Sequence, residues 1–162
     1  MTKLYILNGF IGSGKTTFAK KIEAQSNVQR FTVDEWMLPL FGEADMERDV
    51  FDSKIEFLEA QFKKMAEKFL NNGVDVILDF GGWSKNERDQ MRQWANTIEC
   101  ELNMVYIDTS FEICKERALK RTEQKTENNY MFDEQTIDTL FGFFETPKAD
   151  EKFHKIVQTI LK

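Results

Sequence analysis

The chain has 162 residues, a net charge of −6 and 41% apolar residues, which suits one α/β-sized domain spanning residues 1–162 with its own core. The acidic balance argues against nucleic acid or an anionic membrane as partner. No apolar run approaches the roughly 20 residues of a membrane helix. Cys100 and Cys114 are the only cysteines and His154 the only histidine. That is too few for a disulfide framework or a zinc cluster, so two reduced thiols are expected. Residues 1–3 run straight into an apolar segment without a signal-peptide pattern, and a cytoplasmic protein is expected.

Leu4-Tyr5-Ile6-Leu7 is a short apolar run of the kind buried on both faces in a parallel sheet. A glycine-rich turn follows, then a predicted helix from about Lys15 to Gln25. Phe31-Thr32-Val33 reads as a second strand ending at Asp34. Phe51, Ile55, Leu58, Phe62, Met65 and Phe69 recur at helical spacing and predict a helix over about Met46–Leu70, stopped by Asn72-Gly73. Val74 to Leu78 is the third strand and ends at Asp79. Ser84 and Glu87 have capping-box spacing and open a helix to about Asn96. Leu102 to Ile107 is the fourth strand. Thr109 and Glu112 repeat the capping-box spacing before a helix through Arg121. Thr122 to Asn129 is polar and without periodicity. A helix is predicted from Asp133 to about Thr146, and a last strand from Lys155 to Thr159. Strands alternating with helices predict a parallel α/β sheet of five strands with helices on both faces.

Gly9-Phe10-Ile11-Gly12-Ser13-Gly14-Lys15-Thr16 matches G-x-x-x-x-G-K-[ST] between a strand and a helix, the context of a P-loop. Successive backbone N–H groups of Gly9, Gly12, Ser13 and Gly14 can then turn toward phosphate oxygens, with the helix N-terminus behind them. Lys15 is expected on the β- and γ-phosphates of ATP, Thr16 on Mg²⁺, and Thr17 beside them in the first helical turn. Asp79 ends an apolar strand at the edge where α/β ligands bind and is expected as the second magnesium group.

The order strand, GxxxxGKT, helix, strand ending in Asp, long helix, strand ending in Asp resembles the nucleoside-kinase-like P-loop kinases, among them adenylate kinase, shikimate kinase, gluconate kinase, chloramphenicol phosphotransferase and zeta toxin. Val33-Asp34-Glu35-Trp36-Met37 and Leu78-Asp79-Phe80-Gly81-Gly82-Trp83-Ser84 resemble phrases of bacterial ATP-binding predicted kinases. The resemblance covers nearly the whole chain. It implies a P-loop NTPase fold with a short lid at about 122–132. It implies Asp34 as the general base facing an acceptor hydroxyl, as in chloramphenicol phosphotransferase and zeta toxin. As in adenylate kinase, Arg117 would pack on the adenine and Arg121 would reach the phosphates from the lid.

The departures bear on the acceptor. Nucleoside monophosphate kinases carry an arginine after strand two and another after the strand-three aspartate. Here those places hold Glu35-Trp36-Met37-Leu38 and Phe80-Gly81-Gly82-Trp83. An uncharged or cationic hydroxyl compound is therefore expected, against an apolar wall of Trp36, Met37, Phe41, Phe80, Trp83 and Tyr130. The expected activity is transfer of the ATP γ-phosphoryl group to a small non-phosphorylated molecule, by a monomer or homodimer. The alternative is an ATP-hydrolysing switch or nucleotide-binding protein that acts on a protein partner. Related kinases cradle the base with a loop after the fifth strand. Only Ile160 to Lys162 follow Thr159 here, so Arg117 is expected to hold the base and to distinguish GTP from ATP poorly.

Overall fold

The computed structural model describes residues 1–25, 27–42, 48–124 and 130–158. In chain order the elements are β1 (Lys3–Asn8), α1 (Lys15–Glu23), β2 (Val28–Thr32), α2 (Val33–Phe41), α3 (Arg48–Asn71), β3 (Asp75–Gly81), α4 (Lys85–Ala95), β4 (Glu101–Asp108), α5 (Phe111–Glu123), α6 (Glu134–Phe141) and β5 (Lys155–Gln158). The five strands form one parallel sheet in the order β2-β3-β1-β4-β5, as the alternation of elements predicts.

β1 lies at the centre, hydrogen-bonded to β3 on one side and β4 on the other. Both faces of this strand are covered, which is why it reads as a continuous apolar run. The period of two then sorts its side chains. Leu4 and Ile6 join Val76, Leu78 and Met104 in one core with α3 and α4, whereas Leu7 joins Ile77, Val105 and Ile107 in another with Ala19 and Ile22 of α1. On α3, Leu58, Phe62, Ala66 and Leu70 are buried at steps of four and lie along the first core.

Several boundaries differ from expectation. β2 stops at Thr32, and Asp34 sits in the first turn of α2 rather than at a strand end. The positive end of the α2 dipole favours the carboxylates of Asp34 and Glu35 there. The Ser84–Glu87 capping box forms as expected. The Thr109–Glu112 box does not: Ser110 is the N-cap of α5 without a side-chain bond, and the Thr109 hydroxyl donates to the Ser13 carbonyl at 2.9 Å instead. The helix after Asp133 ends at Phe141, where the Gly142 amide closes the last turn on the Asp138 and Thr139 carbonyls. Met46 at the expected start of α3, Lys125–Asn129 of the expected lid, and Thr159 to Lys162 lie outside the described residues. Among the described residues no helix is long and apolar enough to cross a membrane.

Candidate active site

The loop between β1 and α1 is held from three sides. Gly12 has φ +78°, and a Cβ there would run into the Cys114 carbonyl, so at this residue the loop meets the first turn of α5 backbone to backbone. Gly9 N–H donates to the Gly81 carbonyl at 3.0 Å, tying the loop to the end of β3. Phe10 is 3% exposed. Its ring lies 5.1–6.1 Å from those of Trp83, Phe111, Phe141 and Phe144, contributed by α5, α6 and the segments beside them. The motif leaves that position free, so nothing in it announced an aromatic anchor.

Lys15 opens α1, and its Nζ donates to the Gly9 and Phe10 carbonyls at 2.8 and 2.9 Å. Burial holds its pKa below the ordinary lysine value, and the charges of Asp79 and Asp34 oppose that shift. Thr16 follows, and its hydroxyl donates to Asp79 Oδ2 at 3.1 Å. Strand alternation explains the meeting: Asp79 is two residues beyond Ile77, on the sheet face covered by α1. Burial pushes the Asp79 carboxyl above the usual range; Lys15 opposes this and Asp34 adds to it.

Thr32, the last residue of β2, pairs with Asp79 across the sheet. Asp34 therefore comes just beyond the same edge, within the fields of Lys15 and Arg121. Solvent reaches Asp34 from the open side. The protein mass around its carboxylate still raises the pKa, against the pull of Lys15 and Arg121. Two carboxylates and two cations from β1–α1, α2, β3 and α5 thus converge at the carboxyl ends of the central strands, where α/β ligands bind. Arg117 lies against the loop, with Nη1 3.5 Å from the Gly12 and Ser13 carbonyls. Thr17 is exposed in the first turn of α1.

Of the six residues expected as one apolar wall, Met37 belongs to the core under α3, Phe41, Phe80 and Tyr130 pack against that core and Trp36 touches its Phe62, whereas Trp83 packs in a separate cluster with Phe10. Trp36 is 44% exposed and stands edge-on to Phe62, which stacks with Phe80. Met37 is 2% exposed and belongs to the core. Trp83 packs on Phe10 and Phe144, behind the loop rather than beside Trp36. Phe41 lies under the Lys54 ammonium. Tyr130 stands on Phe51 and faces Asp34, and burial together with that charge pushes its phenol up to about 12. The 340 Å³ cavity between α6 and Arg48 is lined by Asp133, Thr136, Thr139 and Phe143 and contains none of Lys15, Thr16, Asp34 and Asp79. Cys100 and Cys114 are both free thiols.

Three charged groups had no sequence signal that marked them. Glu59 of α3 carries a carboxyl pushed up to about 7 by burial. Arg88 of α4 and Glu151 form a buried ion pair. All three look like surface charges on a single sequence.

The chain is 27% identical over 152 residues to the adenylyl-sulfate kinase of Bacillus velezensis, covering 90% of this chain and 72% of that protein. A component of the Pnkp1/Rnl/Hen1 RNA repair complex superposes with a TM-score of 0.70 at 25% identity over 88% of this chain. This chain spans only 43% of the length of that one. The APS kinase of Mycobacterium tuberculosis, solved with AMPPNP and APS, superposes with a TM-score of 0.63 over 99% of this chain and 90% of that one. At 14% identity that likeness shows the shared fold alone. Sheet order, P-loop and relatives together make this a P-loop kinase-like protein. With residues 4–147 matching the model of the AAA_33 family, described as an AAA domain, the chain belongs to that family.

Proposed function

We infer that this protein transfers the γ-phosphoryl group of ATP to a hydroxyl of a small, non-phosphorylated molecule. The observation that carries the reading is the meeting of Lys15, Asp34, Asp79 and Arg121 at one sheet edge, each within the field of another. The backbone of Gly12 to Thr16 and the α1 N-terminus hold the phosphates. Lys15 exchanges its carbonyl partners for phosphate oxygens, and Arg121 faces the same charge from α5. The acceptor oxygen attacks the γ-phosphorus as the bond to the β-bridging oxygen breaks, the acceptor proton passes to Asp34, and ADP leaves. A carboxylate with a raised pKa is a better proton acceptor for that step than an ordinary one. Positioning and fixed charge supply most of the rate.

Thr16 and Asp79 present hard oxygen donors 3.1 Å apart beside the loop, a donor set that fits magnesium. Thr16 and Asp79 would hold the ion, and its charge would offset that building up on the transferring group. The preference for an acceptor without phosphate is supported by the surroundings of Asp34. The cations acting on it are Lys15 and Arg121, both assigned to the donor phosphates. None of Glu35, Trp36, Met37 and Leu38, which follow β2, is cationic.

The test is an ADP-release assay over neutral, cationic and phosphorylated hydroxyl compounds, with a 5′-hydroxyl RNA oligonucleotide included. A small acceptor should raise ADP release above the rate with ATP alone. Asp34→Asn should then cut transfer by roughly 10²–10⁴ with ATP affinity unchanged. ADP release that no acceptor accelerates would replace this reading with an ATP-hydrolysing switch. A collapse of magnesium-dependent ATP binding in Asp34→Asn would make Asp34 a metal group instead of a base.

A further inference from the structure

Arg88 is 0% exposed, an unusual place for a guanidinium. Its Nε and Nη2 donate to the two Glu151 oxygens at 2.6 and 2.8 Å, and its Nη1 donates to the Gly82 carbonyl at 3.0 Å. Glu151 also accepts from the Lys148 amide at 3.1 Å, and the guanidinium holds its carboxyl below the usual range. Glu145 makes a second tie to the same turn. Its amide donates to the Trp83 carbonyl at 2.8 Å, and its carboxylate accepts from the Lys85 amide at 3.0 Å. Residues 145–151 thus strap the β3–α4 turn from outside, and Glu151 lies beyond the span that the family model matches.

The turn in its shape touches the phosphate loop. Gly81 accepts from Gly9 N–H at 3.0 Å. Gly82 has φ +55°, and a Cβ there would collide with Asn8 Oδ1, with Arg88 Cγ 3.1 Å away. Asn8 and Gly9 are the last residue of β1 and the first of the loop, and Asp79 lies two residues before Gly81. A shift of the turn therefore moves both the entry of the loop and the carboxylate paired with Thr16.

An apolar pair of similar volume would fill this site about as stably, because burying two charges costs much of what their attraction returns. What an apolar pair cannot do is grip the Gly82 carbonyl and the strap at once. Resting on the phosphoryl-transfer reading above, we propose that Arg88 and Glu151 are positioning residues, a buried clamp that fixes the Gly81–Gly82 turn and through it the phosphate loop and Asp79.

The test compares the wild type with the double variant Arg88→Met/Glu151→Met, which removes both charges and leaves none unpaired, and with Arg88→Lys, which keeps the charge and loses the fork. Hydrogen exchange of individual amides is read by NMR alongside calorimetric titration with magnesium-ATP. The clamp predicts a cooperatively folded double variant in which the Gly9 amide exchanges at least about tenfold faster while Ile6 in the adjoining strand β1 keeps its protection. Turnover should fall by about 10²-fold, the usual consequence of roughly 1 Å of misplacement, and Arg88→Lys should restore little of it. Wild-type Gly9 protection and wild-type turnover in the double variant would reduce the pair to packing. If the double variant fails to fold, Arg88→Lys decides by the same two amides: equal acceleration at Gly9 and Ile6 overturns the clamp. Failure to find any acceptor would refute the kinase reading while leaving the exchange rates, and the weaker magnesium-ATP binding expected of the double variant, able to judge the clamp.

Discussion

Glu59 allows a stability prediction that is independent of any substrate. It lies on α3 one turn before the buried Phe62, and burial lifts its pKa from 4.5 to about 7. Glu87 of α4 and Glu56 add to that rise, and Lys63, four residues on, opposes it. Below pH 4.5 the carboxyl is neutral in both the folded and the unfolded chain and costs nothing. Between 4.5 and about 7 the unfolded chain releases the proton while the native state keeps it, so stability falls as pH rises. Above 7 the full cost of an ionised, desolvated carboxylate is present. The gap between the two values corresponds to a ceiling of about 3 kcal/mol at ~1.4 kcal/mol per pH unit. The side chain keeps some solvent access, which brings the expected cost to about 1–2 kcal/mol. Glu59→Gln removes the charge at nearly constant shape. It should therefore be close to neutral at pH 4 and stabilise the protein by about 1–2 kcal/mol at pH 8. Urea unfolding at a series of pH values, followed by tryptophan fluorescence, measures this directly. A stability difference that does not grow between pH 4 and 8, or a variant weaker than wild type at pH 8, would refute the reasoning.

Lys15→Ala should abolish ADP formation while the protein still melts cooperatively, because the ammonium contacts loop carbonyls rather than the core; undiminished turnover would remove it from the phosphates. Gly12→Ala should destroy ATP binding in calorimetry, since the new methyl must displace the Cys114 carbonyl; wild-type affinity would mean that the loop does not need its contact with α5. AMP, CMP and UMP should be poor acceptors in the ADP-release assay compared with a neutral hydroxyl compound, and efficient conversion of any of them would overturn the acceptor assignment. Arg117→Ala should weaken magnesium-ATP binding by about 0.5–2 kcal/mol; unchanged affinity would leave Arg117 as a brace of the loop carbonyls alone.

Apart from α2, which no predicted element covers and whose Val33 reads as strand, strand and helix identities were legible because period two and period 3.6 are local properties of the chain. Leu4 to Leu7, Val74 to Leu78 and the 51–69 stripe each announce an element without reference to any other. The P-loop was legible for the same reason: strand, cradle and helix N-terminus are contiguous, and Lys15 and Thr16 are placed by the turn that the glycines permit. Asp79 was legible as a carboxylate near the end of a strand, although β3 runs on to Gly81, and alternation put it on the α1 face. The boundaries that failed were those decided by contacts from afar. Thr109 has the spacing of a cap, but the Ser13 carbonyl takes its hydroxyl.

Sequence by itself determined the α/β class, the phosphate cradle and the presence of acidic groups at the sheet edge. Tertiary structure alone decided which acids meet which cations. It brought Asp34 and Arg121, far apart in the chain, into one field, and it separated Trp83 from Trp36 despite their similar promise. It also turned Arg88 and Glu151 from ordinary surface charges into buried ones and left Glu59 half-buried. Desolvation depends on everything packed around a group, and no window of neighbouring residues contains that information.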